Sequence, residues 1–303
     1  MAKKSKKNIK GLALAVFLVV FAIQVFYLLS GFDFPILKPS GWVAEQQRNL
    51  IVFTMLLSLV VIIPVFYMLI RFVTKYDEKN AHEKYSPELD GNTKIEFLWW
   101  TIPIVLMTIL GVVTFKTSHS LDPFKPLVND NPAMTIQVVA LDWKWLFIYP
   151  EQKIASVNYV KIPTNRPVEF KITSDASMNS FWIPDLGGQI YAMSGMSTEI
   201  NLIADKSGEY KGSSANLSGK GFAGMKFTTS AVSQMEFDRW ASEVAQSDKA
   251  FNSDMYERLS KPSENEPTAL YRLEDDKIFD NAINKYMNHG SQSMTMTERE
   301  ESR

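Results

Sequence analysis

The sequence predicts a membrane-anchored protein: an α-helical hairpin with an additional N-terminal helix, an all-β sandwich, and a C-terminal helical extension. Three observations predict it. Three long apolar runs fall within the first 118 of 303 residues. From Met134 the apolar residues recur with period two, the signature of strands. After Ala231 they return to helical spacing. The expected boundaries are 1–118 for the membrane region, 119–133 for a linker, 134–229 for the sandwich and 230–303 for the extension and its tail.

The first apolar run, GLALAVFLVVFAIQVFYLL, covers 11–29 and follows a start holding Lys3, Lys4, Lys6, Lys7 and Lys10. That charge layout also suits a secretory signal, but a signal core is usually about 7–15 residues long and ends at a small-residue cleavage site. No such site follows here, so a retained anchor is favoured over a cleaved signal. The second run covers 50–70 and the third, with its polar start, 96–115. Each is long enough to cross roughly 30 Å of hydrocarbon as a helix, the one open-chain structure that satisfies its own backbone in lipid. Pro64 and Pro103 are expected to kink these helices. Lysine and arginine set the orientation. The N-terminus and the segment holding Arg71, Lys75, Lys79, Lys84 and Lys94 stay on the cytoplasmic side, and everything after Thr117 is exported.

The linker is rich in Pro, Asn and Asp. Beyond it, MTIQVVALDWKWLFIY sets Trp143, Trp145, Phe147 and Tyr149 on alternate positions, and PVEFKIT alternates in the same way. Several such short segments predict a small antiparallel sandwich or barrel. EFDRWASEVAQ and DDKIFDNAINKYMNHG read as amphipathic helices, and the segment after them as a loose tail.

Composition excludes several chemistries. There is no cysteine, so disulfides, iron–sulfur clusters and thiolate copper are absent. His82, His119 and His289 are too far apart in sequence to suggest a ligand cluster. A net charge of −1 gives no case for nucleic-acid binding.

Three stretches carry a resemblance: DWKWLFIYPEQ (142–152), MNSFWIPDLGGQIYAMSGM (178–196) and GEYKGSSANLSGKGFAGMKF (208–227). Together with YSPELDGNTKIEFLWWTIPI they resemble subunit II of the haem–copper respiratory oxidases, with the closer likeness to the quinol-oxidising, cytochrome bo-type branch. The resemblance covers nearly the whole chain and implies a cupredoxin-like sandwich in the periplasm and membrane helices in a bacterial inner membrane. In the cytochrome c-oxidising relatives the loop holds a binuclear copper centre. Carried onto this sequence, the histidine ligands fall on Asn179 and Phe222, the cysteines on Ser214 and Ser218, and the glutamate on Asn216. The methionine, Met225, is kept.

Donor chemistry points the same way. A redox copper centre needs thiolate and imidazole. Serine hydroxyls are hard and neutral, a phenyl ring offers nothing, and one thioether cannot replace the rest. The sandwich is therefore expected to lack its copper, and no cofactor is expected in this chain. The resemblance implies that haems and copper reside in subunit I, that quinol is the substrate of the complex, and that subunit I, smaller subunits and membrane lipid are the partners. Cytochrome c is not an expected partner.

Trp143 matches the tryptophan that accepts electrons from cytochrome c in the relatives; with no copper beyond it, sheet-core or interface packing is expected. Glu96 opens the third helix in TKIEFLWW. Its plain reading is a capping box with Thr93 as the cap. The resemblance implies the mouth of a proton pathway into subunit I, and the two roles are compatible. In bo-type relatives LLSG precedes an acylated cysteine; here it precedes Phe32, so no thiol is present to lipidate. Two rival readings differ in kind: a cytochrome c oxidase subunit II, which needs the missing ligands, and a membrane-tethered binding module with no enzymatic complex.

Overall fold

A computed structural model describes residues 35–76 and 91–287. The expected first helix over 11–29 and the expected tail lie outside the described residues. The chain divides into two units, 1–38 and 39–303. In the first, Pro35–Leu37 forms a short 3-10 turn.

The second unit opens with two helices, α1 (Trp42–Lys75) and α2 (Thr93–Ser120), both long and apolar enough to cross a membrane. Both outrun their apolar cores and continue through Pro64 and Pro103. Asn92, not Thr93, caps α2: its side-chain oxygen accepts the N–H groups of Lys94 and Ile95 at 3.1 and 3.3 Å. Thr93 is already the first helical residue, so the expected capping box does not form.

The outer end of α1 is joined to the sandwich through its backbone. Ser40 N–H donates to the Asp185 carbonyl (2.9 Å), Ala44 N–H to that of Leu186 (3.1 Å), and Asp205 N–H to that of Ser40 (2.9 Å). Gly41 permits this approach, since a Cβ there would lie 2.2 Å from the Ile203 carbonyl oxygen.

The sandwich has ten strands before the next helix: β1 (Met134–Leu141), β2 (Lys144–Tyr149), β3 (Ile154–Val157), β4 (Tyr159–Pro163), β5 (Val168–Ser174), β6 (Asn179–Trp182), β7 (Gln189–Ala192), β8 (Thr198–Leu202), β9 (Gly208–Ser214) and β10 (Lys226–Val232). The C-terminal extension adds α3 (Gln234–Ala245), β11 (Ala250–Phe251), α4 (Ser253–Leu259) and β12 (Ala269–Leu273); residues 278–287 are helical. One sheet runs β11-β12-β3-β2-β1-β5-β8 and the other β4-β10-β9-β6-β7.

Two expectations are corrected. The sheets are mixed rather than antiparallel, because β1 pairs with β5, β4 with β10 and β11 with β12 in parallel. The extension is not only helical: β11 and β12 complete the larger sheet. Its strand β12 is half-buried along most of its length, so it shows no clean alternation.

The middle of the larger sheet, β2 and β3, is buried on both faces, and two apolar clusters flank it. Trp145, Phe147 and Tyr149 belong to the cluster between the sheets: Trp145 and Phe147 meet Phe181 and Phe227 of β6 and β10, and Tyr149 meets Phe237 and Trp240 of α3. Leu146 and Ile148 face the other way and pack against Phe251, Leu259, Leu273, Ile278 and Phe279 of the extension. Each such side chain contributes about 1.5–3 kcal/mol when fully buried. The protein part is thus three layers, with the extension as the outer one.

Candidate functional site

Every position at which the resemblance places a copper ligand lies at one end of the smaller sheet. Asn179 opens β6, Ser214 ends β9, and Met225 precedes β10. The antiparallel pairing of β6 with β9 and of β9 with β10 brings these ends together. The connecting loop carries Asn216 and Ser218 and closes through a 3-10 turn, Phe222–Gly224.

Hydrogen bonds close the site on itself. Ser214 Oγ donates to Asn179 Oδ1 at 3.1 Å, lies 3.3 Å from the Asn216 carbonyl oxygen, and accepts the Ser180 N–H at 3.4 Å. Asn179 Nδ2 donates to the Ser177 carbonyl (2.8 Å) and Asn216 Nδ2 to that of Met178 (2.9 Å). Asn179, Ser214 and Met225 are buried, and Phe222 is half-buried. Ser218 Oγ is buried without a hydrogen-bond partner among the described residues. No hydrogen bond ties the side chains of Ser218, Phe222 or Met225 to the Asn179–Ser214 pair among the described residues.

A binuclear copper centre does not fit this donor set. The group offers two serine hydroxyls, two amides, one thioether and a phenyl ring, with neither thiolate nor imidazole. The Ser214 hydroxyl and the Asn179 amide already satisfy each other. Among the described residues no three His, Cys, Asp or Glu side chains gather as a metal cluster. His119 lies on α2, with Nδ1 2.8 Å from the Phe115 carbonyl oxygen.

Trp143 is not in a strand; it is half-buried and packs against the edge of the sandwich core. It sits in the β1–β2 turn with φ of +63° and lies against the loop; its Nε1–H donates to the Ser218 carbonyl at 3.1 Å. A Cβ on Gly221 would come within 2.4 Å of the indole ring. Of the loop glycines, Gly219 has positive φ (+108°), while Gly221 is required by close approach. A left-handed backbone is unfavourable for a bulky residue, so the indole's packing on the glycines and its hydrogen bond must offset that cost.

Sequence reasoning missed two charged anchors. Lys144 is 1% exposed, and its Nζ donates to the carbonyls of Leu259 (2.8 Å) and Lys261 (2.8 Å) and to Ser263 Oγ (2.6 Å). Burial pulls its pKa below the usual lysine range, against the raising effect of Glu266 and Asp142. Asp175, whose side chain is fully buried, accepts from Tyr256 Oη (2.8 Å), Lys285 Nζ (2.7 Å) and Tyr286 Oη (2.8 Å). Both anchors hold the extension against the strands beside the loop. A third link is Asn158, which accepts the Trp145 N–H and donates to the Glu266 carbonyl, each at 2.8 Å. The one signal in the sequence was Lys144 itself, set between two tryptophans in an otherwise apolar strand.

Residues 36–117 match the cytochrome c oxidase subunit II transmembrane domain, 149–232 the cytochrome c oxidase subunit II periplasmic domain, and 245–290 the COX aromatic rich motif. The chain is 51% identical over 268 residues to a cytochrome bo(3) ubiquinol oxidase subunit 2 of Pseudomonas putida, covering 88% of this chain and 85% of the relative. It is 44% identical over 264 residues to a ubiquinol oxidase subunit 2 of Acetobacter aceti, covering 86% and 85%. It is 37% identical over 281 residues to a quinol oxidase subunit 2 of Bacillus subtilis, covering 92% and 85%. With two membrane-spanning helices, an exported sandwich and these relatives, the chain belongs to the subunit II family of haem–copper terminal oxidases, in its quinol oxidase branch, as a membrane-anchored subunit with a periplasmic C-terminal domain.

Proposed function

We propose that this chain serves a proton-pumping ubiquinol:oxygen oxidoreductase as a subunit without a redox centre of its own. The complex oxidises quinol and reduces oxygen to water. Haems and copper belong to subunit I, against which the helices of this chain pack and over whose outer face its sandwich sits. The observation that carries the reading is the Ser214–Asn179 hydrogen bond, which occupies two positions where the cytochrome c-oxidising relatives place copper ligands. Electrons that cannot pass through this loop must reach subunit I from a lipid-soluble donor. The contribution of the chain is assembly and shielding.

The same reading assigns Glu96 to the mouth of a proton pathway at the cytoplasmic end of α2. Two observations support it. Asn92 performs the capping, and no hydrogen bond or ion pair engages the Glu96 carboxyl among the described residues. An ionisable side chain at a membrane boundary is a functional candidate by default.

The test is purification of the complex through this chain, with optical spectra, metal analysis and steady-state turnover. Quinol is expected to support oxygen reduction and soluble cytochrome c is not. Copper in this polypeptide, or rapid reduction by cytochrome c, would sink the proposal. For Glu96, the alanine variant is expected to assemble with full haem content and to slow haem reduction; unchanged reduction and turnover would remove the proton role.

A further inference from the structure

The sandwich and its extension expose few large apolar side chains, and most of these are methionine. Beyond residue 134 the exposed ones are Met178, Met196, Met235 and Met287, with Tyr191 and Leu217. Methionine ordinarily fills gaps in a core, as the buried Met134 and Met225 do here. Met178, Met196 and Met287, with the half-buried Met193, meet at one place on the surface.

Three segments bring them there. β6 and β7 pair with Asn179 opposite Ala192, and one step beyond, Met178 and Met193 flank the open end of that ladder. Asn179 and Ala192 are buried, so alternation turns the next pair away from the core. The turn from Met193 to Met196 is held against the residues before Met178. Ser174 N–H donates to the Met193 carbonyl at 3.3 Å, and Ser194 Oγ to that of Ala176 at 2.8 Å. Within this turn Gly195 has φ of +74°, and a Cβ there would lie 3.7 Å from the Met287 nitrogen. The end of the helical segment 278–287 therefore reaches the same turn. Asp175 holds it in place by accepting from Lys285 and Tyr286.

Donor type limits the ligand. Thioethers are soft and neutral; they suit a soft monovalent ion, Cu(I), and offer little to hard divalent ions. A thiolate would be the stronger soft donor, but the chain has no cysteine, and an oxidising periplasm favours disulfides over free thiols. Within 174–178, 193–196 and 285–287 the charged side chains are Asp175 and Lys285, which pair at 2.7 Å. No unpaired ammonium in these segments repels a cation. The patch is also separate from the degenerate loop, since none of its four methionines stands where the resemblance places a copper ligand.

We propose that Met178, Met193, Met196 and Met287 form a surface site for one monovalent copper ion, carried as cargo and not as a redox centre. Coordination by thioethers alone, without thiolate or imidazole, lets the ion exchange. A complex washed with a Cu(I) chelator therefore keeps none here, and the metal analysis that tests the proposed function is unaffected. The site does not rest on that function, because binding is read without turnover.

The test uses the intact complex, washed with a Cu(I) chelator and dialysed in its oxidised state against Ag(I), a soft monovalent ion of the same charge. Metal analysis compares the wild type with a variant carrying Met178→Leu and Met196→Leu, which keeps volume and apolarity. The wild type is expected to hold about one more Ag(I) than this variant, with haem content and turnover equal in both. Bound Ag(I) should also slow the oxidation of Met178, Met196 and Met287 by peroxide, read by peptide mass. Met235→Leu, on the exposed side of α3, should leave uptake as in the wild type. Equal uptake by the wild type and the double variant, the same loss in Met235→Leu, or oxidation indifferent to Ag(I) would each overturn the proposal.

Discussion

Lys144 Nζ lies 2.8 Å from the carbonyl oxygen of Leu259, a residue 115 positions later in the chain. One lysine of the central sheet thereby holds the first turn after α4, and two further acceptors, the Lys261 carbonyl and Ser263 Oγ, complete its shell. A buried ammonium is costly unless every proton is matched, and here all three are.

Lys144→Met keeps the length of the side chain and removes the donors. The carbonyls of Leu259 and Lys261 then lose their partner, at an expected cost of about 2–4 kcal/mol. The arm after residue 245 should become sensitive to limited proteolysis in the intact complex while the strands before it stay protected. Equal resistance of variant and wild type would show that the lysine does not hold the arm.

Alkaline pH should release the same arm from its other anchor. Burial and the hydrogen bond to Asp175 push the Tyr286 phenol up to about 12, and burial with the Asp175 charge raises Tyr256 as well. A phenol raised in the folded state stabilises it fully below pH about 10, the unfolded value, and that contribution is lost as pH climbs toward the folded value. Protection of the amides over 253–287, measured relative to their base-catalysed intrinsic exchange, should therefore fall between pH 10 and about 12. In Tyr286→Phe the loss of protection should be smaller, because one of the titrating groups is gone.

Gly221→Ala places a methyl group 2.4 Å from the Trp143 ring. The indole must move off the loop and give up its bond to the Ser218 carbonyl. The expected loss is about 1–3 kcal/mol, read as a shifted fluorescence spectrum and a lower melting temperature of the complex. A crystal or cryo-EM structure with the indole unmoved would refute the close-approach argument.

Thr229→Val should stabilise the protein. Thr229 in β10 is fully buried, and its Oγ1 has no hydrogen-bond partner among the described residues. Valine keeps the branched shape that suits a strand and removes an unmatched hydroxyl, a gain of about 1 kcal/mol. A fall in the melting temperature would mean that the hydroxyl has a partner in the assembled complex.

Much of the architecture was legible locally. The two apolar runs marked α1 and α2, and alternation marked β1, β2 and β5. The reading of Asn179, Ser214, Ser218 and Phe222 as positions without copper donors came from the resemblance carried onto the sequence, not from any local period. The positions that failed depend on distant residues. In β2 the alternation of Trp145, Phe147 and Tyr149 suggested one buried face, yet Leu146 and Ile148 are buried too, because the extension covers the other side. Trp143 continued the alternation in the sequence but fell in the turn, where the glycine loop receives it.

The sequence by itself determined which segments are apolar enough for lipid, which side chains alternate, and that no thiolate is available to any site, since these follow from residue type and short spacing. Only the tertiary structure decided that β1 lies parallel to β5, that β12 joins β3, and that Lys144 and Asp175 fasten the extension. The physical reason is separation along the chain. Strand order and buried charge partners are set by contacts between residues tens to more than a hundred positions apart, and no local period records them.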